Sequence, residues 1–285
     1  MRRHHVTAIV LLALALFWLY GGIVARLAAQ WGSDDNYAHG FLVVPFAVFV
    51  AWTRRDALRS APVRPGLAGL ALLSIGLLIL VAGKLGAELF LTRLSLILVL
   101  AGAIGFVWGR VYLRVLALPL ASLLFMIPLP AIVFNQITFP LQLVASTIGE
   151  GLIRGVGIPV LREGNVLQLP SRTLEVAEAC SGVRSLGSLM MLALVLGYFT
   201  ERRVGRRVLL ALTAIPLSIA ANAIRVAGTG IASEWISPAV AEGFLHTFSG
   251  LVMFSLAALG LAAVQHAAAS IGPRLARRPV LEGRS

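Results

Sequence analysis

The fold class this sequence predicts is an all-α polytopic membrane protein, with about eight transmembrane helices and a small β-hairpin-like outer loop. Three observations predict it. The 285 residues are 59% hydrophobic and only 13% charged, whereas soluble domains carry roughly 25% charged residues. The apolar residues gather into repeated stretches approaching the roughly 20 residues a helix needs to cross the hydrocarbon core. Short basic clusters punctuate those stretches, alternating as loops on two sides of a bilayer would.

In chain order the expected spans are 6–25, 40–53, 66–83, 91–109, 115–130, 178–200, 208–228 and 246–268. The first follows Met1-Arg2-Arg3-His4-His5 as a signal peptide would. It is too long for one, and no small-x-small site leads into a soluble mature domain, so it reads as a retained signal-anchor. The second span is short, and the fifth carries Pro119, Pro128 and Pro130, which interrupt helical hydrogen bonding.

Basic residues set the orientation. Arg2 and Arg3, Arg54, Arg55, Arg59 and Arg64, Arg110 and Arg114, Arg202, Arg203, Arg206 and Arg207, and Arg274, Arg277, Arg278 and Arg284 fall on one side of these spans. The positive-inside rule makes that side the cytoplasm, with both termini there. Arg26, Lys84, Arg93, Arg154, Arg162 and Arg172 face the other way over longer total sequence. The net charge of +12 thus reports topology; it follows no amphipathic face or basic domain, and no nucleic-acid partner is expected.

Residues 131–151 are apolar but interrupted by Asn135, Gln136, Pro140, Gln142 and Glu150. A single crossing there would put every later basic cluster on the wrong side, so the stretch is expected to re-enter or to lie in the outer interface. The longest polar segment follows, at about 154–178. Its runs Val160-Leu161-Arg162, Val166-Leu167-Gln168-Leu169 and Thr173-Leu174-Glu175-Val176, separated by Gly164-Asn165 and Pro170-Ser171, predict a small β-meander on the outer face. There is no internal repeat and no low-complexity tract.

Three expected helix ends then meet at one depth. Glu178-Ala179-Cys180-Ser181-Gly182-Val183-Arg184-Ser185 opens span six, Asn222-Ala223-Ile224-Arg225 closes span seven, and His246 opens span eight. Cys180 is the only cysteine, which excludes an internal disulfide framework and any multi-cysteine zinc or iron–sulfur site; no metal or other cofactor is expected. A free cysteine usually packs as a small hydrophobe. Here a helix N-terminus and Arg184, four residues on, both favour its thiolate. Arg225 lies in an apolar helix, where an arginine costs about 2.5–3.5 kcal/mol unless it snorkels or finds a partner. Asn222 shares its face at i−3 and is suited to hold it. His246 is either an interfacial anchor or a proton carrier near neutral pH. Thiol, imidazole and fixed cation together complete a set for acyl transfer. There is no His-Glu-x-x-His zinc helix and no Gly-x-Ser-x-Gly elbow to compete with it.

Glu178–Leu186 (EACSGVRSL), Asn222-x-x-Arg225 preceded by Ala214-Ile215-Pro216, the downstream His246, Phe125-Met126-Ile127-Pro128-Leu129-Pro130 and the outer-loop Tyr37-Ala38-His39-Gly40-Phe41 together resemble the exosortase family over about residues 30–268. The resemblance implies a polytopic enzyme of the Gram-negative inner membrane that processes PEP-CTERM proteins, whose C-terminal tails join a Pro-Glu-Pro motif, one transmembrane helix and a basic cluster, often alongside exopolysaccharide production. It implies Cys180 as nucleophile, Arg225 as oxyanion-stabilising cation and His246 as acid/base, on the periplasmic side. Arg184, Asn222 and His39 extend that set as supporting or substrate-binding residues. Expected partners are PEP-CTERM-tailed exported proteins, membrane lipid and exopolysaccharide-assembly proteins. The chain is read as one integral membrane domain, 1–285, with a catalytic core at about 115–268 and a basic cytoplasmic tail at 269–285.

Two other readings stand beside this one. A transporter or flippase for an anionic lipid-linked saccharide would line a path with Arg184, Arg225 and His246, but it calls for polar residues deep in several spans, where Leu, Ala, Val and Ile predominate. A non-catalytic scaffold for polysaccharide assembly is the third.

Overall fold

The computed structural model describes residues 2–176, 183–201, 203–237 and 243–275, with side chains throughout except at 2–9, 183–184, 243–247 and 271–275. These residues form helices and one small sheet, as the composition requires: in hydrocarbon every backbone N–H and C=O must be satisfied internally, and the helix does so within one segment. Among the described residues, six helical stretches are long and apolar enough to cross a membrane, at 10–33, 67–85, 89–107, 131–155, 204–235 and 248–270. Gly40–Thr53, Ala117–Met126 and Ser185–Thr200 are shorter apolar helices. The chain divides into two compact units, Met1–Phe134 and Asn135–Ser285.

The first unit contains α1 (Arg2–Ser33), α2 (Gly40–Thr53), α3 (Arg55–Ser60), α4 (Leu67–Leu85), α5 (Leu89–Val107), α6 (Arg110–Val115) and α7 (Ala117–Ser122), the last continuing into a 3₁₀ turn, Leu123–Met126. Its tightest packing joins α4 to α5. Gly69, Gly76 and Gly83 recur every seven residues on one buried face of α4. A Cβ at Gly69 would lie 2.0 Å from the Phe106 nitrogen, and one at Gly102 would lie 2.3 Å from the Leu73 nitrogen. The two backbones therefore touch, the close approach that drives helix association where lipid supplies no hydrophobic force. The Glu88 carboxylate caps α5 by accepting the Leu91 N–H at 2.7 Å. Tyr20 and Ser95 hydroxyls, 3.0 Å apart and both buried, tie α1 to α5.

The expected fifth span, 115–130, is a broken one. At one end of this stretch Arg64 donates its N–H to the Trp108 carbonyl at 3.1 Å. At the other, Trp31 Nε1 donates to the Met126 carbonyl at 2.9 Å. Short helices packed along α2 carry the chain between these ends.

In the second unit α9 (Val183–Thr200), α10 (Val204–Trp235) and α11 (Gly243–Leu275) pack together around Leu189, Ala193, Leu210, Ala214, Ala257 and Leu261. The remainder is α8 (Ala131–Gly155), which begins at the boundary between units, and a meander of β1 (Leu161–Glu163), β2 (Val166–Gln168) and β3 (Thr173–Glu175). Leu161 pairs with Gln168 and Gln168 with Thr173, both antiparallel. Gly164, at φ 65°, makes the first turn, a conformation that favours glycine. Leu167, Leu169 and Val176 of the meander bury against Ala145 and Ile153 of α8 and Val226 and Ala227 of α10. Glu150 of α8 holds the sheet's edge, accepting from Arg162 Nε at 2.9 Å and from Arg154 Nη2 at 2.7 Å. Ser171 closes the other side through its N–H and hydroxyl to Glu234 of α10.

Two expectations need correction. Residues 131–151, expected to re-enter or to lie in the outer interface, do not turn back: they belong to one unbroken 25-residue helix, with Pro140 inside it, and the stretch is long and apolar enough to cross a membrane. Proline removes one donor there, and the flanking turns hold. α10 does not end near residue 228 but at Trp235, because Gly228, Thr229, Gly230 and Ser233 lower its hydropathy without breaking it. It stops before Ser237-Pro238, where the residue preceding proline is disfavoured in helix. α11 runs to Leu275, and its stretch apolar enough to cross a membrane ends at Ser270.

Filling the α4–α5 contact should separate the hairpin. Gly102→Val is expected to destabilise the detergent-solubilised protein by about 2 kcal/mol or more, read as a fall in thermal unfolding midpoint. Gly32→Ala, where a Cβ meets nothing within 4 Å, should move that midpoint little.

Candidate active site

Helix α10 positions the two best-described candidates. Asn222 is buried and Arg225, one turn later, is half-buried. Trp235 ends the helix ten residues beyond Arg225, so the guanidinium belongs to the helix interior. The neighbouring face of this stretch is used for packing. A Cβ at Gly149 of α8 would lie 3.0 Å from Val226 Cγ1, and one at Gly230 would lie 2.8 Å from Ile153 Cδ1 and 3.4 Å from Leu169 and Leu174 Cδ1. Arg225 thus sits at the level of α10 that the meander and α8 cover.

Helix α11 supplies its seat. Arg225 Nε donates to Ser249 Oγ at 3.3 Å. The Cβ position of Gly250 lies 3.4 Å from Arg225 Cζ and Nη2 and 3.6 Å from Nη1. His246 lies near the start of α11, three and four residues before Ser249 and Gly250, on the same helical face. The backbone therefore places residue 246 one turn from the point where Arg225 meets α11.

Arg184 is the second residue of α9; its side chain and that of His246 lie outside the described residues. Cys180 lies outside them altogether, between Val176 at the end of the meander and Val183 at the start of α9. Arg162 of β1 shares Glu150 with Arg154. Ser249 and Gly250 were missed by sequence reasoning. Their i+3 and i+4 spacing from His246 places them on its helical face but does not by itself point to Arg225.

His39 belongs to the first unit, where it precedes α2. Its Nε2 lies 3.0 Å from the Phe125 carbonyl. A carbonyl only accepts, so Nε2 carries the proton and Nδ1 presents a lone pair. That Nδ1 is buried without a hydrogen-bond partner; the nearby Asn36 main chain favours protonation but does not complete a bond to it. Trp31 holds the adjacent Met126 carbonyl, and the Leu129 N–H donates to the Tyr37 hydroxyl at 3.3 Å. Gly40 is required here, since a Cβ would lie 2.5 Å from Trp31 Nε1. The first loop thus clamps the Phe125–Pro130 segment.

A multi-pass membrane protein with a helix-seated arginine beside a sheet-covered helix end is the class that fold and site define. The profile of the transmembrane exosortase family (Exosortase_EpsH) matches residues 31–263, and the chain belongs to that family, which makes it in general terms a membrane protein-sorting transpeptidase. No curated protein and no solved structure matches the chain.

Burial lowers the His39 pKa below its ordinary value, outweighing the Phe125 and Asn36 main-chain groups that raise it. The unfolded chain therefore takes up this proton first. His39's contribution to stability is present above about pH 6.5 and is lost as pH falls toward the depressed folded value. Between about pH 7.5 and 5, His39→Gln is expected to show a smaller drop in unfolding midpoint than the parent protein.

Proposed function

We propose that this exosortase-family chain is a cysteine-dependent peptidase or transpeptidase that removes the C-terminal PEP-CTERM sorting signal of exported proteins at the periplasmic face of the bacterial inner membrane, in support of exopolysaccharide production. The observation that carries the reading is the seating of Arg225 on α11, one turn from residue 246, in a chain matched to the family over residues 31–263.

In this scheme the substrate's anchor helix docks in the bilayer and presents its Pro-Glu-Pro segment to the site. The Cys180 thiolate attacks the neighbouring carbonyl carbon and forms the C–S bond. Arg225 stabilises the oxyanion with charge-assisted hydrogen bonds. His246 gives a proton to the leaving nitrogen as the C–N bond breaks, releasing the membrane tail as an amine and leaving a thioester on the enzyme. Water or an amine-bearing acceptor then attacks the thioester and returns the thiol. Asn222 steadies the arginine, while Arg184 favours the thiolate. Arg162, Arg172 or Arg184 draws the substrate's glutamate. His39 acts from the first loop, holding Phe125–Pro130.

The test is tail removal from a co-expressed PEP-CTERM-tailed protein, followed by mass spectrometry of substrate and enzyme. Cys180→Ala and Cys180→Ser should abolish processing and the thioacyl adduct; undiminished processing by the alanine variant overturns the proposal. Arg225→Gln should lower turnover by about 10²–10³-fold. Arg225→Lys should recover little of it, because a point charge does not replace a planar fork of donors.

A further inference from the structure

The first unit carries an arginine that is buried more deeply than Arg225. Arg93 lies one turn in from the start of α5 and is only 5% exposed, in a stretch apolar enough to cross a membrane. A guanidinium in such a place ordinarily meets a carboxylate or a set of carbonyls. Among the described residues, none hydrogen-bonds or ion-pairs with Arg93. Its polar neighbours on α5 are committed elsewhere: the Thr92 and Ser95 hydroxyls donate to the Leu89 and Thr92 carbonyls at 2.8 and 2.7 Å. The titratable groups near enough to act on its charge are Glu88, Arg26 and Tyr37. Of these, Glu88 caps α5 through the Leu91 N–H, and the Tyr37 hydroxyl receives the Leu129 N–H.

Arg26 brings a second guanidinium from α1. The Tyr20 and Ser95 hydroxyls hold α1 against α5, and Arg26, further along α1, folds back toward that contact: its Nη1 lies 3.9 Å from the position a Cβ would take at Gly22. Unlike Arg93, Arg26 is exposed, as is Val24 beside it, on a helix that is itself apolar enough to cross a membrane. Two like charges gathered on apolar helices repel one another, and Glu88 offsets only one of them. The cluster is left with a single positive charge, which one monoanion would balance.

We propose that Arg26 and Arg93 form a binding site for the phosphate of an anionic membrane lipid, entered sideways from the bilayer. Arg26 marks the open side and Arg93 the buried end. A phosphodiester keeps its charge at physiological pH and presents oxygens that two guanidinium forks can share. A carboxylate entering from hydrocarbon would instead take up a proton and lose the attraction. The site lies wholly within the first unit and does not depend on the thiol reaction.

The experiment titrates the full-length protein, delipidated in maltoside detergent, with phosphatidylglycerol, diacylglycerol, inorganic phosphate or a PEP-CTERM tail peptide. Unfolding midpoint and native mass spectrometry report binding. Phosphatidylglycerol should raise the midpoint and remain bound, while the other three should do little. Arg26→Gln and Arg93→Gln should each weaken phosphatidylglycerol binding about tenfold or more, and Arg59→Gln, on an exposed loop helix, should stay within about twofold of the parent. Without lipid, Arg93→Gln should unfold no lower than the parent, because it removes an uncompensated charge; a purely structural arginine would give the opposite result. If Arg93→Gln does not fold, the exposed Arg26 decides alone. The proposal is overturned if Arg26→Gln binds phosphatidylglycerol as the parent does, or if Arg59→Gln weakens binding as much. It is equally overturned if inorganic phosphate or the tail peptide stabilises the parent as well as phosphatidylglycerol does.

Discussion

A guanidinium carried well inside a helix that is otherwise apolar must be given a surface of its own, and the second unit is arranged around that requirement. Arg225 lies ten residues before the end of α10, too far in to be dismissed as a terminal anchor. Desolvating it costs about 2.5–3.5 kcal/mol on insertion scales, an expense offset only by close polar and van der Waals contact. α11 provides the contact with a hydroxyl and a bare backbone patch, at Ser249 and Gly250. The adjacent face, at Ala223, Val226 and Ala227, is small enough to bury against α8 and the meander. One face of α10 is thus committed to packing so that the other can carry charge.

A related demand governs the first unit. Irregular backbone between residues 123 and 130 leaves main-chain groups without helical partners, and inside a membrane protein such groups need protein to bond them. The Phe125 and Met126 carbonyls and the Leu129 N–H are met by His39, Trp31 and Tyr37. The two family motifs in this unit, Tyr37–Phe41 and Phe125–Pro130, are therefore physically one object: donors and acceptors on one segment, unsatisfied backbone on the other. His39 leaves its second nitrogen buried and unmatched, so the clamp also carries a stored sensitivity to protons.

The membrane architecture was legible because hydropathy is a local property: α4 and α5 fall where uniform runs of Leu, Ile, Val and Ala place them. The meander was legible for the same reason, from alternation and turn residues. What escaped were cases where local signals conflict with packing. Asn135, Gln136 and Pro140 suggested a break in a stretch that stays helical as α8, and the span expected to close near residue 228 continues to Trp235, with Gly230 giving Ile153 and Leu169 room to approach. Asn222 and Arg225 could be read as a pair from their i, i+3 spacing. Ser249 and Gly250 could not be read as their counterparts, because nothing in a single sequence says which residue of α11 faces residue 225 of α10.

The backbone contact between α4 and α5 also bears on the order in which the chain is assembled. Its two helices are joined by only Gly86, Ala87 and Glu88, and every pairing from Gly83 with Thr92 to Gly69 with Phe106 is local in sequence. Such a hairpin is complete once residue 107 has emerged from the ribosome. It can lock together in the bilayer while the segment bearing the thiol, the arginine and the imidazole has yet to be translated, giving the nascent chain a rigid early foothold.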